Sequence, residues 1–176
     1  FPRPVRELSN LWIPMPDGAR LAARVWLPAD AEADPVPALF EFLPYRKSDG
    51  TAIRDALRAP YYAGHGYAVL RVDMRGSGDS DGVLTDEYTT QEHDDAVAVI
   101  AWIAAQPWCD GNVGMMGISW GGFNSLQVAA RQPPALKALV VIGFTDDRYA
   151  DDVHYMGGCV LTSQMLAWSS VMHAYN

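Results

Sequence analysis

Cysteine is nearly absent from the chain: Cys109 and Cys159 are the only two in 176 residues. Two thiols make neither a disulfide framework nor a zinc site, so both read as small buried side chains, and a reducing, cytoplasmic setting is favoured. Basic residues are also scarce, 13 Lys and Arg against 21 Asp and Glu, for a formal net charge of −8. The arginines are scattered, which argues against a nucleic-acid partner, because a phosphate backbone needs clustered cations. No apolar run approaches the roughly 20 residues of a membrane span, so no membrane partner is expected. Phe1-Pro2-Arg3-Pro4 has no apolar signal core. Repeats and low-complexity stretches are missing too.

What remains is the composition of a globular protein, with 49% hydrophobic residues, six Trp and eight Tyr. The length suits one domain with a real core. The chain starts without Met and stops at Tyr175-Asn176, directly after a helical-looking segment. It therefore reads as a piece of something longer.

Leu11 to Ile13 and Leu21 to Leu27 flank Met15-Pro16-Asp17-Gly18, and Asp-Gly between strand-like runs predicts a hairpin. Pro37 to Phe42 reads as the next strand, Ile53 to Gly64 as a helix disturbed by Pro60, and Tyr67 to Val72 as a strand buried on both faces. Thr89 and Glu92 have capping-box spacing, and Ala96, Val99, Ile100 and Ile103 recur at helical intervals up to Pro107. Asp110-Gly111-Asn112 reads as a turn into a strand, Val113 to Ile118. A helix from about Gly121 to Arg131 follows, then Pro133-Pro134 and an apolar strand, Leu136 to Phe144. Strands alternating with helices after an opening hairpin predict a mostly parallel α/β sheet. Asp146 to Asp152 reads as an acidic loop and Val160 to Tyr175 as an amphipathic helix, the start of a cap rather than another sheet repeat. The predicted division is residues 1–145 for the sheet domain and 146–176 for the cap.

Gly117-Ile118-Ser119-Trp120-Gly121 has the G-x-S-x-G pattern. Its place between an apolar strand and a helix gives it weight, because a nucleophilic serine must sit on a sharp strand-to-helix turn. Side chains two residues to either side would collide there. The Trp120 amide then opens a helix, where partial positive charge favours a developing oxyanion. A second donor is expected from the loop after the earlier strand, Leu43-Pro44-Tyr45-Arg46, in which Tyr45 offers a phenolic O–H or simply packs. Gly76-Ser77-Gly78 fails as a dinucleotide motif at Asp81, and a calcium loop fails at Ser77 and Tyr88. That loop instead reads as bracing the site through Arg75 and Asp79. No cofactor or metal is implied.

Together these segments resemble the CocE/NonD hydrolases, the group that includes cocaine esterase, α-amino-acid ester hydrolase, glutaryl-cephalosporin acylase and Xaa-Pro dipeptidyl-peptidase. The matching stretches are Met15-Pro16-Asp17-Gly18, Pro44-Tyr45-Arg46-Lys47 and Asp73 through Ser80. Trp108-Cys109-Asp110-Gly111-Asn112-Val113-Gly114 then runs into Gly117 to Gly122. The resemblance implies an α/β-hydrolase fold, incomplete at the C-terminus where a helical cap begins. It implies Ser119 as nucleophile, with Tyr45 O–H and the Trp120 N–H as the oxyanion hole. It also places Asp151 or Asp152 near the cluster that holds a substrate ammonium in the amino-acid ester hydrolases.

The implied partners are a small-molecule ester or amide and the remaining C-terminal part of the enzyme. Homo-oligomerisation stays open. The triad order is Ser, Asp, His, and its acid and base follow later strands. His65 and His93 precede Ser119, and His154 and His173 follow it without such a strand, so none is assigned. The chain alone is accordingly expected to be catalytically incomplete. A different class, a non-catalytic hydrolase-like binding module, is favoured by the missing histidine and disfavoured by the intact G-x-S-x-G turn.

Overall fold

The computed structural model describes residues 1–175. In chain order the elements are β1 (Val5–Pro14), β2 (Arg20–Pro28), β3 (Val36–Leu43), α1 (Ala52–Gly64), β4 (Ala68–Asp73) and α2 (Thr90–Ala104). Then come β5 (Cys109–Ile118), α3 (Trp120–Ala130), β6 (Leu136–Ile142), β7 (Tyr155–Met156), β8 (Cys159–Val160) and α4 (Thr162–Tyr175). One six-stranded sheet has the order β1-β2-β4-β3-β5-β6. β4, β3, β5 and β6 run parallel, whereas β1 and β2 are antiparallel to their neighbours.

The alternation of side chains across the sheet sorts the core. Trp26 and Val69, paired across β2 and β4, face α1 with Ala59 and Ala63. Val25 and Leu70, one residue along, point the other way into the larger cluster with Val99, Ile100 and Ile103 of α2 and Val128 of α3. Helices therefore cover both faces, as parallel strands require. β4 is buried at every position. It accommodates Arg71 because Asp55 of α1 takes its guanidinium at 2.7 and 2.9 Å and Glu41 of β3 lies at 2.7 Å. Burial pushes both carboxyls above their ordinary values.

The hairpin forms where Asp-Gly predicts it, with Gly18 at φ +90° and the Ala19 amide on Asp17 Oδ1 at 3.1 Å. α1 runs through Pro60 without a break. Further local readings are corrected. Cys109 is buried as expected, but Cys159 is exposed on β8. Asp110-Gly111-Asn112 is not a turn before the strand but an irregularity inside β5. Between the pairs Val36–Cys109 and Ala38–Val113, β5 carries two residues more than β3, and Gly111 adopts φ +89° to absorb them. The acidic loop also runs into a small hairpin, β7–β8, turned by Gly157 and Gly158 at φ +54° and +79°. The last helix therefore starts at Thr162 rather than Val160. Met165, Trp168, Met172 and Tyr175 recur along α4 as its half-buried stripe.

Candidate active site

The turn between β5 and α3 carries Ser119 at φ +58°, ψ −116°, a conformation that costs a non-glycine residue about 1–3 kcal/mol. Its amide donates to the Ile142 carbonyl at 2.9 Å, while its own carbonyl accepts from Gly122 and Phe123 at 2.8 and 3.0 Å. The serine thus joins β6 to the first turn of α3. Gly117 is a steric necessity, and Gly121 is tightly placed. A Cβ on Gly117 would lie 2.4 Å from the Gly121 carbonyl carbon, and one on Gly121 would lie 3.0 Å from Leu43 Cδ2. The Trp120 amide is the first N–H of α3, a position with no carbonyl partner within a helix.

Tyr45 sits on the loop that leaves β3. That loop is pinned from below: Asp73 Oδ1 accepts the Lys47 amide at 2.7 Å, and Asp73 Oδ2 accepts the Asp79 amide at 3.1 Å. The Lys47 ammonium, 1% exposed, pairs with Asp79 and lies 3.7 Å from Asp73. Arg75 grips Asp95 of α2 at 2.7 and 2.8 Å. The Tyr45 ring meets Trp120 and Trp168 edge-on, at centroid distances of 6.4 and 5.9 Å. Burial, then the nearby Glu87 carboxylate, pushes the phenol well above its ordinary pKa, so it is protonated across the neutral range. It is therefore an O–H donor there.

Beneath the turn lies Glu92, the third residue of α2. The Thr89 side chain accepts the Glu92 amide at 3.2 Å, as the capping-box spacing predicts. The Glu92 carboxylate does more than cap. Its Oε2 accepts the Tyr88 amide at 2.8 Å, and its Oε1 accepts the Trp120 indole N–H at 3.0 Å and the Asn124 amide at 3.1 Å. Asn124 also donates to the Phe42 carbonyl near the end of β3 at 2.8 Å. Burial raises the Glu92 pKa to about 7, against the pull of these donors.

Ser119, Tyr45, Trp120, Phe123, Trp168 and His154 line a common cavity of about 110 Å3, with Glu87, Tyr88 and Val153 completing it. A wider cavity of about 290 Å3 adjoins it, sharing Glu87, Trp120, His154 and Trp168. The cap therefore reaches the serine. Arg148 stacks over Tyr88 and Phe123 at 4.8 and 5.2 Å and binds Glu87 at 2.9 Å and Asp152 at 2.6 Å. His154 Nδ1 lies 2.9 Å from Asp152 Oδ2, and its Nε2 lies 3.1 Å from Glu87 Oε1 without hydrogen-bond alignment.

Asp152, its side chain 2% exposed, is thus a member of an ion-pair network with Arg148 and the cavity-lining His154, while Asp151 is exposed and bridges Met156 through its backbone. Sequence reasoning gave no site role to Glu92 or Glu87 and weighed His154 without assigning it. Glu92 carried a signal in its capping-box spacing, but that spacing says nothing of the second set of donors.

A mostly parallel sheet covered by helices, with a strained serine on the turn after β5, defines an α/β-hydrolase fold. The sequence profile of the X-Pro dipeptidyl-peptidase (S15 family) matches residues 17–176, and the chain belongs to that family. It is 35% identical over 165 residues to a cocaine esterase from Rhodococcus sp. (strain MB1 Bresler), an alignment covering 93% of this chain and 28% of that protein. Its backbone superposes on a CocE/NonD family hydrolase from Staphylococcus aureus with a TM-score of 0.82 at 26% identity, covering 96% of this chain and 32% of that one. An α-amino acid ester hydrolase gives a TM-score of 0.70 at 25% identity, with 90% and 28% covered. The chain spans about a third or less of the length of these relatives.

Proposed function

We propose that this chain is the nucleophile-bearing part of a serine hydrolase that cleaves an ester or amide through an acyl-enzyme on Ser119. The observation that carries the reading is the strained turn, which sets Ser119 in a cavity with a protonated Tyr45 phenol and the first amides of α3. In the proposed mechanism Ser119 Oγ attacks the acyl carbonyl while a general base takes its proton. The Tyr45 O–H and the Trp120 N–H stabilise the oxyanion. The leaving group departs protonated, and water then releases the acyl group to regenerate the serine.

The base and its orienting carboxylate come from outside residues 1–176. His154 is not positioned as the base: its nitrogens are turned to Asp152 and Glu87, and no hydrogen bond joins it to Ser119. Residues 1–145 form the hydrolase body and 146–176 the start of a cap over the acyl pocket. Of the two cap acids proposed to bind substrate, Asp152 borders the cavity through its contact with His154, whereas Asp151 is exposed. The setting is cytoplasmic. Among the described residues no helix is long and apolar enough to cross a membrane.

The test is labelling of the full-length protein with a fluorophosphonate probe beside its Ser119→Ala variant. Labelling confined to the unmodified protein supports the reading. Equal labelling of both, or of neither, rejects it and favours a binding module.

A further inference from the structure

Glu92 is a buried carboxylate that bonds the loop before α2 and two side chains of α3, and through one of these it reaches β3. Through Oε2 it holds the Tyr88 amide, ahead of α2. Through Oε1 it holds Trp120, the residue after the nucleophile, and Asn124, which in turn holds the β3 strand that leads to Tyr45. The geometry points to Glu92 as the positioning residue of this site: ionised, it fixes the start of α3 and the end of β3 against each other, and protonated it releases them. This inference rests on the Ser119 chemistry proposed above.

The reason is donor and acceptor matching. All three groups facing the carboxylate are N–H donors, so the ionised form, an acceptor only, satisfies them. A proton on either oxygen adds a donor to a site already full of donors, and removes the charge that makes those bonds strong.

The neighbouring charges do not supply a substitute. From the loop before α2 come Glu87 and the Tyr88 phenol, and from the β3 loop the Tyr45 phenol. From the cap comes Arg148, which is held by Glu87 and Asp152. α3 presents only the neutral Trp120 and Asn124. On α2 itself, Asp95 is bound to Arg75 and His93 to Gln127. Among the described residues no cation pairs with Glu92, so its proton balance lies between burial, helped by the Glu87 charge, and the three donors, with a pKa of about 7. The assembled site is present above that pH and is lost as pH falls through it.

The experiment follows the Trp120 indole N–H resonance in 15N-tryptophan-labelled full-length protein from pH 5.5 to 8.5, assigned by Trp120→Phe. The resonance should titrate near pH 7 in the unmodified protein and in Ser119→Ala, and stay flat in Glu92→Gln. Glu92→Gln should also lower kcat for a p-nitrophenyl ester about 10–100-fold at pH 8.5 with KM within threefold, the effect of misplaced rather than missing groups. Should Glu92→Gln not fold, Asn124→Ala takes its place. It removes one donor and should move the Trp120 titration to higher pH.

A flat resonance in the unmodified protein, an unmoved one in Asn124→Ala, or kcat within twofold in Glu92→Gln overturns the inference. If Ser119→Ala keeps its activity while the resonance still titrates, the catalytic reading fails instead, so the two failures are separable.

Discussion

Gly117 and Gly121 stand so close across the serine turn that a Cβ on the first would lie 2.4 Å from the carbonyl carbon of the second. The obstacle is backbone, which cannot rotate away as a side chain does. Gly117→Ala should therefore displace the turn, with unfolding free energy lowered by 2 kcal/mol or more, roughly the range of strained or overpacked sites. Thermal unfolding of the full-length variant measures this. A midpoint that does not move from that of the unmodified protein contradicts the steric account.

Ser119 itself is held at φ +58°, where an L-residue with a side chain is strained. Ser119→Gly should remove that strain together with the hydroxyl. The expected result is loss of ester hydrolysis with a gain in stability of about 1 kcal/mol. Ser119→Ala, by contrast, should lose activity without the gain. A less stable Ser119→Gly protein would mean that the surrounding bonds, not the residue, set the backbone there.

Tyr45→Phe separates a donor from a wall. If the phenol donates to the oxyanion, kcat falls by about 10²–10³ with KM little changed. If the ring only packs against Trp120 and Trp168, KM alone moves.

The architecture was largely legible in the sequence, and the reasons are local. Asp17-Gly18 needs a positive φ, Pro133-Pro134 stops a helix, and continuous apolar runs mark strands covered on both faces. The serine turn was legible because Gly117 answers a clash with the backbone of the turn itself, which exists whatever surrounds it. What was hidden depends on contacts distant along the chain. Lys47, a charged residue in an apparent loop, is buried because Asp73 and Asp79 arrive from the end of β4 and the loop beyond it. Glu92 caps its own helix, but its partners Trp120 and Asn124 lie 28 and 32 residues away. Asp110-Gly111-Asn112 looks like a turn in any single-strand reading, because only the pairing with β3 shows the chain continuing through it.

Glu92 also makes stability pH-dependent, with a definite sign. Its folded pKa of about 7 exceeds its ordinary 4.5, so between these values the folded protein binds the extra proton. Stability is then greatest below pH 4.5 as far as this group is concerned, and falls as pH rises toward 7. The size is about 3 kcal/mol, from ~1.4 kcal/mol per pKa unit. Above pH 7 the carboxylate that positions the site is therefore a stability cost. Denaturant unfolding at pH 5 and pH 8 in unmodified protein and Glu92→Gln should show this slope in the first and not in the second. Parallel curves would assign the pH dependence to other groups.

The last prediction concerns residues 1–176 as an isolated polypeptide. A serine without its base is a weak nucleophile at neutral pH, and base-deleted triads keep only a residual ~10³–10⁴-fold over water. Hydrolysis of a p-nitrophenyl ester by this piece should therefore be residual. The piece should also associate. β6 forms one edge of the sheet, and on the face it shares with Ile118 its Val140 and Ile142 are 59% and 55% exposed. An apolar strand with unpaired backbone groups is a template for pairing with another chain. In the full-length protein the same edge and face would receive the remaining C-terminal part. Val140→Lys places a charge at the middle of that face and should shift the isolated piece toward monomer in analytical ultracentrifugation, without restoring turnover. A monomeric, fully active piece would reject both halves of this account. It would return His154, the histidine already lining the Ser119 cavity, as the general base.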